Sequence, residues 1–372
     1  MPKDQIDLVA VGDIILGENC GYLLEPSIEI LRRADLTVGQ LEVPYTNRDE
    51  RAVSCGHVPE SLQPLTDAGF DVMTLAGNHL ADSGPAGIED TMAALRARQI
   101  AYVGAGMNIT EALQPLIVER KGIRVGFVNF NCVGPKETWA GPAKPGNAYV
   151  HVISHYELDH ANPGGPPKAY TGVEFDSLQT MKRVVAQARS QCDILVAVFH
   201  KGMVHVPVSL LDYEYQVTHA AIDAGADLVI AHHAHIVKGI EFYKGKAIYH
   251  SLGNGFVCLP MEALTKGPLP ENWVERRKRL FGFEPDPDYP TYPFHPEAKY
   301  AFFAKCILSR DKVESVRLIP CFVEPSGRPV PVGRSDRGQE IMAYLRKITD
   351  AAGLNARYEW TGDEIVATAG EG

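Results

Sequence analysis

Short apolar runs of strand length recur along the chain, separated by stretches in which apolar residues return every three or four positions. Residues 7–11, 36–41, 71–75, 124–130, 193–199 and 227–231 have the length and β-branched content of buried strands. Between them, Ile88, Met92 and Leu95 share one helix face, as do Val184, Val185 and Ala188. Leu210, Tyr213, Val217, Ala221 and Ala224 mark a third helix that Gly225 can terminate. This alternation predicts an α/β protein with helices packed on sheets. Residues 300–308 and 312–319 read as a hairpin, and residues 338–348 as a final helix.

The pattern breaks in two places. Residues 134–170 crowd Pro and Gly into Gly134-Pro135, Gly141-Pro142, Pro145-Gly146 and Pro163-Gly164-Gly165-Pro166-Pro167, which predicts a long loop. Residues 259–298 set Pro285, Pro287, Pro290, Pro293 and Pro296 among aromatic residues. Loops this long are more often functional lids or interfaces than idle connections. The expected organisation is one domain over residues 1–325 that carries both insertions, followed by an extension, 326–372, with one helix.

At 372 residues and 45% hydrophobic content the chain can bury a sizeable core, which sets disorder aside. The net charge of −10 comes from 46 acidic against 36 basic residues, with no long Lys/Arg stripe, so nucleic acid is not an expected partner. Apolar runs such as 194–199 fall far short of the roughly 18 residues needed to span a bilayer, so no membrane partner is expected either. Met1 to Gln5 pass straight into an apolar run without a basic leader. The cysteines (Cys20, Cys55, Cys132, Cys192, Cys258, Cys306, Cys321) form no C-x-x-C pair. Both features fit reduced thiols in a cytoplasmic protein. Self-association is left open.

Five polar clusters stand at or just beyond the ends of predicted strands: Asp13, Glu42, Asn78-His79, His200 and His232-His233-Ala234-His235. In an open α/β sheet, ligands bind at the carboxyl ends of strands, so these clusters are expected to converge. Imidazoles, carboxylates and an amide oxygen together suit Zn, Mn or Fe better than Ca or Mg. The absence of sulfur argues against a purely structural zinc site.

With these residues in view, the chain resembles the CapA (PgsA-like) poly-γ-glutamate capsule proteins of the calcineurin-like metallophosphoesterase superfamily. The resemblance runs from about Asp7 to Val257. It rests on Val11-Gly12-Asp13, Leu41-Glu42, Ala68-Gly69-Phe70-Asp71-Val72, Asn78-His79, Asp82-Ser83-Gly84, Gly104-Ala105-Gly106, Phe199-His200, Asp223-Ala224-Gly225-Ala226-Asp227, His233-Ala234-His235 and Ser251-Leu252-Gly253-Asn254. It implies a four-layer sandwich of two mixed β-sheets flanked by helices. It also implies one or two divalent ions per chain: Asp13 and His235 on one, Asn78, His200 and His233 on the other, and Glu42 bridging. His79 then resembles the residue that protonates the leaving group, with Asp82 either orienting it or capping the next helix.

Two departures from the family pattern matter. The superfamily's first motif is Asp-x-His, but Ile15 stands two after Asp13, so the first ion lacks an imidazole. Where this branch reads His-Trp-Gly-x-Glu-Tyr, the chain has His200-Lys201-Gly202-Met203-Val204-His205, losing a carboxylate and gaining cations. Lys201, His205 and His250 are therefore candidates for binding an anionic group on the substrate, and His57 is a candidate from the loop after the second strand. Asn254 belongs to the same candidate set, although a purely structural turn around Gly253 and Gly255 is the other reading. The expected activity is hydrolysis of an amide, ester or phosphoester bond in a small or oligomeric anionic substrate by a metal-bound hydroxide. The alternative is an accessory, non-catalytic role in polyglutamate or capsule synthesis or export.

Overall fold

The computed structural model describes residues 4–157, 168–259 and 272–370. The predicted Pro/Gly cluster at 163–167 and part of the 259–298 insertion lie outside the described residues. Two mixed sheets face each other. The larger runs, in spatial order, through Ala356–Thr361, Glu364–Ala369, Val313–Val323, Tyr300–Leu308, Ile6–Ile15, Leu36–Leu41, Val72–Thr74 and Ala101–Val103. The smaller runs through Ile240–Tyr243, Lys246–Tyr249, Leu228–His232, Ile194–His200, Ile123–Asn131 and Leu116–Arg120.

Side chains alternate across each strand and so divide the core. In Ile194–His200, Ile194, Val196 and Val198 point between the sheets, while Leu195, Ala197 and Phe199 meet the outer helices Phe175–Arg189 and Asp212–Asp223. In Ile6–Ile15, Leu8 and Ala10 enter the same inter-sheet core. Val9 and Val11 join the other outer layer, built on Ile28–Arg33, Gln63–Ala68 and Gly84–Ala97. Every one of these strands is buried on both faces, which explains their nearly continuous apolar sequences. The result is the four-layer metallophosphoesterase-like sandwich that the resemblance implied.

The first strand changes partners along its length. Residues Ile6 to Ala10 pair antiparallel with Leu308 to Ala304, whereas Asp13 to Ile15 pair parallel with Asn254 to Val257. Gly12 stands at the exchange. A Cβ there would lie 2.1 Å from the Gly253 carbonyl oxygen, so only glycine lets the two backbones meet. The neighbouring Asp13 N–H donates to that same oxygen at 3.0 Å.

Three expectations change. The 134–170 segment is more than loop: Val152–Glu157 and Lys168–Val173 form an antiparallel ribbon against Asp212–Asp223, where the Tyr213 N–H donates to Thr171 Oγ1 at 3.3 Å. Its β-branched and tyrosine residues flank the Pro/Gly cluster, which masked them in the sequence. The 259–298 insertion contains a helix, Trp273–Phe281. The 326–372 extension has its helix, Asp336–Ala351, but also two strands that continue the larger sheet through Val313–Val323. Ile341, Leu345 and Ile348 of that helix belong to the inter-sheet core, so the extension is integral to the fold.

Gly12→Ala should destabilise the protein by about 3 kcal/mol, because backbone cannot retreat from the added methyl as a side chain can. Gly21→Ala is the control, since its Cβ would sit an ordinary 3.4 Å from Pro64. Equal urea midpoints for the two variants would show that the strand exchange is not a tight constraint.

Candidate metal centre

The carboxyl ends of the central strands of both sheets converge on one buried cluster. Asp13 stands two residues before the end of the first strand, Glu42 follows Leu36–Leu41, His200 ends Ile194–His200, and His233 and His235 follow Leu228–His232. Asn78 comes from the loop after Val72–Thr74. Gly77 lets that loop pass, because a Cβ there would lie 3.0 Å from Gln40 Nε2 and 3.6 Å from the His200 ring. The turn at His233-Ala234-His235 carries two left-handed residues, φ +88° and +52°, which aim both imidazoles inward at some backbone cost.

Asn78 Oδ1 lies 2.7 Å from His200 Nε2 and 3.1 Å from His233 Nδ1, and those two nitrogens are 3.2 Å apart. Glu42 Oε2 is 3.6 Å from His200 Nε2, and Glu42 Oε1 is 3.8 Å from His235 Nε2. Asp13 Oδ2 accepts from the His233 N–H at 3.2 Å and lies 3.5 Å from His235 Nδ1. Ligand atoms of Glu42, His200 and His233 all fall within 4.8 Å of one another, the span of one ion's ligands.

The donor set passes a test of fit. Asp13 Oδ1 and both Glu42 oxygens are fully buried and have no hydrogen-bond partner. Orphaned carboxylate oxygens in the interior are costly unless a cation satisfies them. Burial, and for Glu42 also the nearby Asp13, pushes both carboxyls above the ordinary carboxylate range. Burial likewise pulls His233 down to about 3, His235 to about 4 and His200 well below the usual imidazole value. The imidazoles are thus neutral, the form that ligates metal.

A hydrogen-bond chain orients His235. The Tyr292 O–H donates to the Ala298 carbonyl at 3.0 Å, Asn254 Nδ2 donates to the Tyr292 oxygen at 3.0 Å, and Asn254 Oδ1 accepts from His235 Nδ1 at 2.8 Å. That polarity leaves His235 Nε2 unprotonated on the side of Glu42. Tyr292 and Ala298 belong to the 259–298 insertion, which therefore helps set a ligand. Asn254 is buried behind His235 and does not line the cavity described below, a correction to its place among the substrate-binding candidates.

A cavity of about 320 Å³ opens on the cluster. Glu42 and His235 form part of its floor, and His57, His79, Asp82 and His205 line it. The His79 Nδ1 and Asp82 Oδ2 are 2.8 Å apart. Asp82 thus meets His79, and the side chain of Ser83 at the N-cap of Gly84–Ala97 makes no capping bond. Burial pulls His57 to about 4 and His205 to about 2, so these two residues present neutral rings.

Lys201 and His250 do not reach the cavity. Lys201 Nζ is wholly buried, 2.8 Å from Glu214 Oε2 and 3.3 Å from His250 Nδ1. His250 Nε2 meets Glu241 Oε2 at 2.9 Å. Lys238 joins the network 3.7 Å from Glu214. Burial works to raise Glu214, but Lys201 and Lys238 outweigh it and bring the carboxyl to about 2. Both side chains are committed internally, Lys201 to Glu214 from Asp212–Asp223 and His250 to Glu241 from Ile240–Tyr243.

Arg51, Cys55 and Arg277 also line the cavity. Cys55 belongs with His57 to the segment Cys55-Gly56-His57 expected to approach from the loop after the second strand. Sequence reasoning passed over Arg51 and Arg277, although Arg277 sits in the basic run 276–279 of an insertion already marked as a lid or interface. His232 Nδ1, buried and without a hydrogen bond, lies 3.8 Å from Asp13 Oδ1. All seven cysteines are free thiols. Among the described residues, no helix is long and apolar enough to cross a membrane.

The chain is thus a four-layer α/β sandwich with a carboxylate–imidazole donor set at its strand ends. Residues 7–258 match the family model described as "Bacterial capsule synthesis protein PGA_cap", and the chain belongs to that family. The PGA biosynthesis protein CapA of Bacillus subtilis (strain 168) is 26% identical over 266 residues, covering 68% of this chain and 63% of that protein. The "Probable polyglutamine synthesis accessory protein" of Mycobacterium tuberculosis is 31% identical over 211 residues, or 55% of this chain and 50% of its own. The chain thus matches less than two thirds of the length of these relatives. The solved calcineurin-like phosphoesterase YfkN from Bacillus subtilis covers 94% of this chain at 12% identity, with a TM-score of 0.42.

Protein purified without chelators from metal-supplemented cells should carry about one tightly held Zn, Mn or Fe ion per chain. His200→Ala should remove most of it and Asp13→Ala less, because Ile15 leaves Asp13 with the poorer ligand set. Elemental analysis showing the reverse order would reassign the stronger site. Separately, Glu214→Gln should lower unfolding free energy by about 3–5 kcal/mol, since it leaves Lys201 and Lys238 buried without a carboxylate. An unchanged denaturation midpoint would show that this network is not structural.

Proposed function

We propose that this chain is a metal-dependent hydrolase acting on an amide, ester or phosphoester bond of an anionic substrate. The observation that carries the reading is the cluster of unpartnered buried carboxylate oxygens and neutral imidazoles opening directly onto a cavity that also holds a His–Asp pair. Glu42, Asn78, His200 and His233 would hold one divalent ion, and Asp13, His235 and Glu42 a second. Such an ion supplies a Lewis acid and lowers the pKa of its water from 15.7 toward about 7.

The chain's own residues do the rest. Asp82 holds His79 Nδ1, which fixes the ring and leaves Nε2 to carry a proton toward the leaving atom. Arg51 and Arg277 on the cavity wall favour an anionic substrate, small or oligomeric, and the cavity volume fits one small residue or the end of a chain. The names of these relatives favour a second reading, an accessory role in capsule or polyglutamate synthesis, in which the site binds without turnover.

Screening the purified protein against γ-glutamyl amides, carboxylic esters and phosphodiesters decides between the two. With any substrate found, His79→Gln should lower turnover about 10²–10⁴-fold while metal content and melting temperature stay put. Loss of metal in that variant would make His79 a ligand. Near-normal turnover with reduced stability would make it structural.

A further inference from the structure

The helix Trp273–Phe281 brings Arg277 to the cavity wall in an unusual setting. Arg189 pairs with Asp227, and Arg317 with Glu364 at 3.0 Å; Arg98, like Arg277, meets no acid among the described residues, but it does not line this cavity. Arg277 Nη2 donates to the Pro293 carbonyl at 3.3 Å and lies 3.3 Å from His205 Nε2, while its buried Nε has no hydrogen-bond partner among the described residues. Burial lowers its pKa, and among the described residues no carboxylate works to raise it.

The guanidinium is nonetheless held firmly. Its central carbon lies 5.3 Å from the Trp273 ring, 4.9 Å from Phe281 and 5.6 Å from Phe283, faces that fix its plane and keep water away. Among the described residues, this half-buried cation with an idle donor, set by aromatic rings on a cavity wall, has no counter-anion. Arg51 also lines the cavity and likewise makes no ion pair among the described residues.

We propose that Arg277 is the substrate's carboxylate anchor, so that the substrate is an amide or ester carrying a free carboxylate, with Arg51 adding long-range attraction. A planar guanidinium matches the two coplanar oxygens of a carboxylate in shape and charge. A dianionic phosphate calls for several converging donors, and this wall offers one fork between aromatic faces. The insertion then has two tasks: Tyr292 orients a metal ligand through Asn254, and Arg277 selects what lies beside it. The proposal rests on the hydrolase reading for the bond cleaved, but not for the binding itself.

The test titrates glutarate and, separately, inorganic phosphate into the protein as purified, with its metal, by calorimetry. Glutarate should bind at least about tenfold tighter than phosphate, and Arg277→Met should weaken it at least about tenfold with metal content and melting temperature unchanged. Arg277→Lys, which keeps the charge but not the fork, should also weaken glutarate, and it provides the reading if the Met variant does not fold. Equal glutarate affinity in wild type and both variants would overturn the anchor, because the anion would then be held by the metal alone. Phosphate binding as tightly as glutarate would overturn the carboxylate assignment. Arg277-dependent glutarate binding without turnover of any tested substrate supports the anchor and counts against the hydrolase. Turnover that depends on His79 but has the same KM in Arg277→Met does the opposite.

Discussion

Asp13 and Glu42 are sealed in the interior, and among the described residues no donor reaches Asp13 Oδ1 or either Glu42 oxygen; much of the surrounding structure follows from that. Two adjacent carboxylates in such a place repel each other and forgo hydration. The neighbouring groups are not cations that would neutralise them. They are imidazoles kept neutral by the same burial, and an amide oxygen that offers a lone pair. The cluster holds excess acceptor capacity converging on one region, which a divalent cation resolves and a purely structural network would not.

Holding that cluster in place requires the two sheets to end at one level, and a few backbone details achieve it. Gly12 allows the first strand to trade one partner for another within three residues, bringing Asp13 beside the turn that carries Asn254. Left-handed φ values at His233 and His235 turn two rings inward from one short segment. The proline-rich insertion, through Tyr292 and Asn254, decides which nitrogen of His235 keeps its lone pair.

Behind the site lies a second polar region with a different logic. Lys201, Glu214, Lys238, His250 and Glu241 satisfy one another almost entirely, so their charges are spent inside the protein. The cavity side is the reverse: among the described residues Arg277 meets no acid, and Asp13 Oδ1 and both Glu42 oxygens meet no donor. The contrast separates groups that stabilise the fold from groups available to a ligand, although the two sets interleave along the chain at His200, Lys201 and His205.

Much of this was legible in the sequence. Strands buried on both faces announce themselves as continuous apolar runs, because the constraint acts on every residue. Polar residues at their ends stand out by contrast, and so Asp13, Glu42, Asn78, His200, His233 and His235 could be gathered into one site. What the sequence left open depended on pairing at long range. Lys201 and His250 read as substrate cations until Glu214 and Glu241, distant or on another element, met them in space. Arg277 read as one charge in a basic run until three aromatic rings, and the lack of an acid beside it among the described residues, set it apart. The C-terminal strands were hidden because an edge hairpin is specified by the strand it joins as much as by its own residues. The sequence alone determined which chemical groups were present and at which strand ends they stood; only the tertiary structure decided which of them were already satisfied, because a polar group's partner is fixed by packing between elements far apart in the chain.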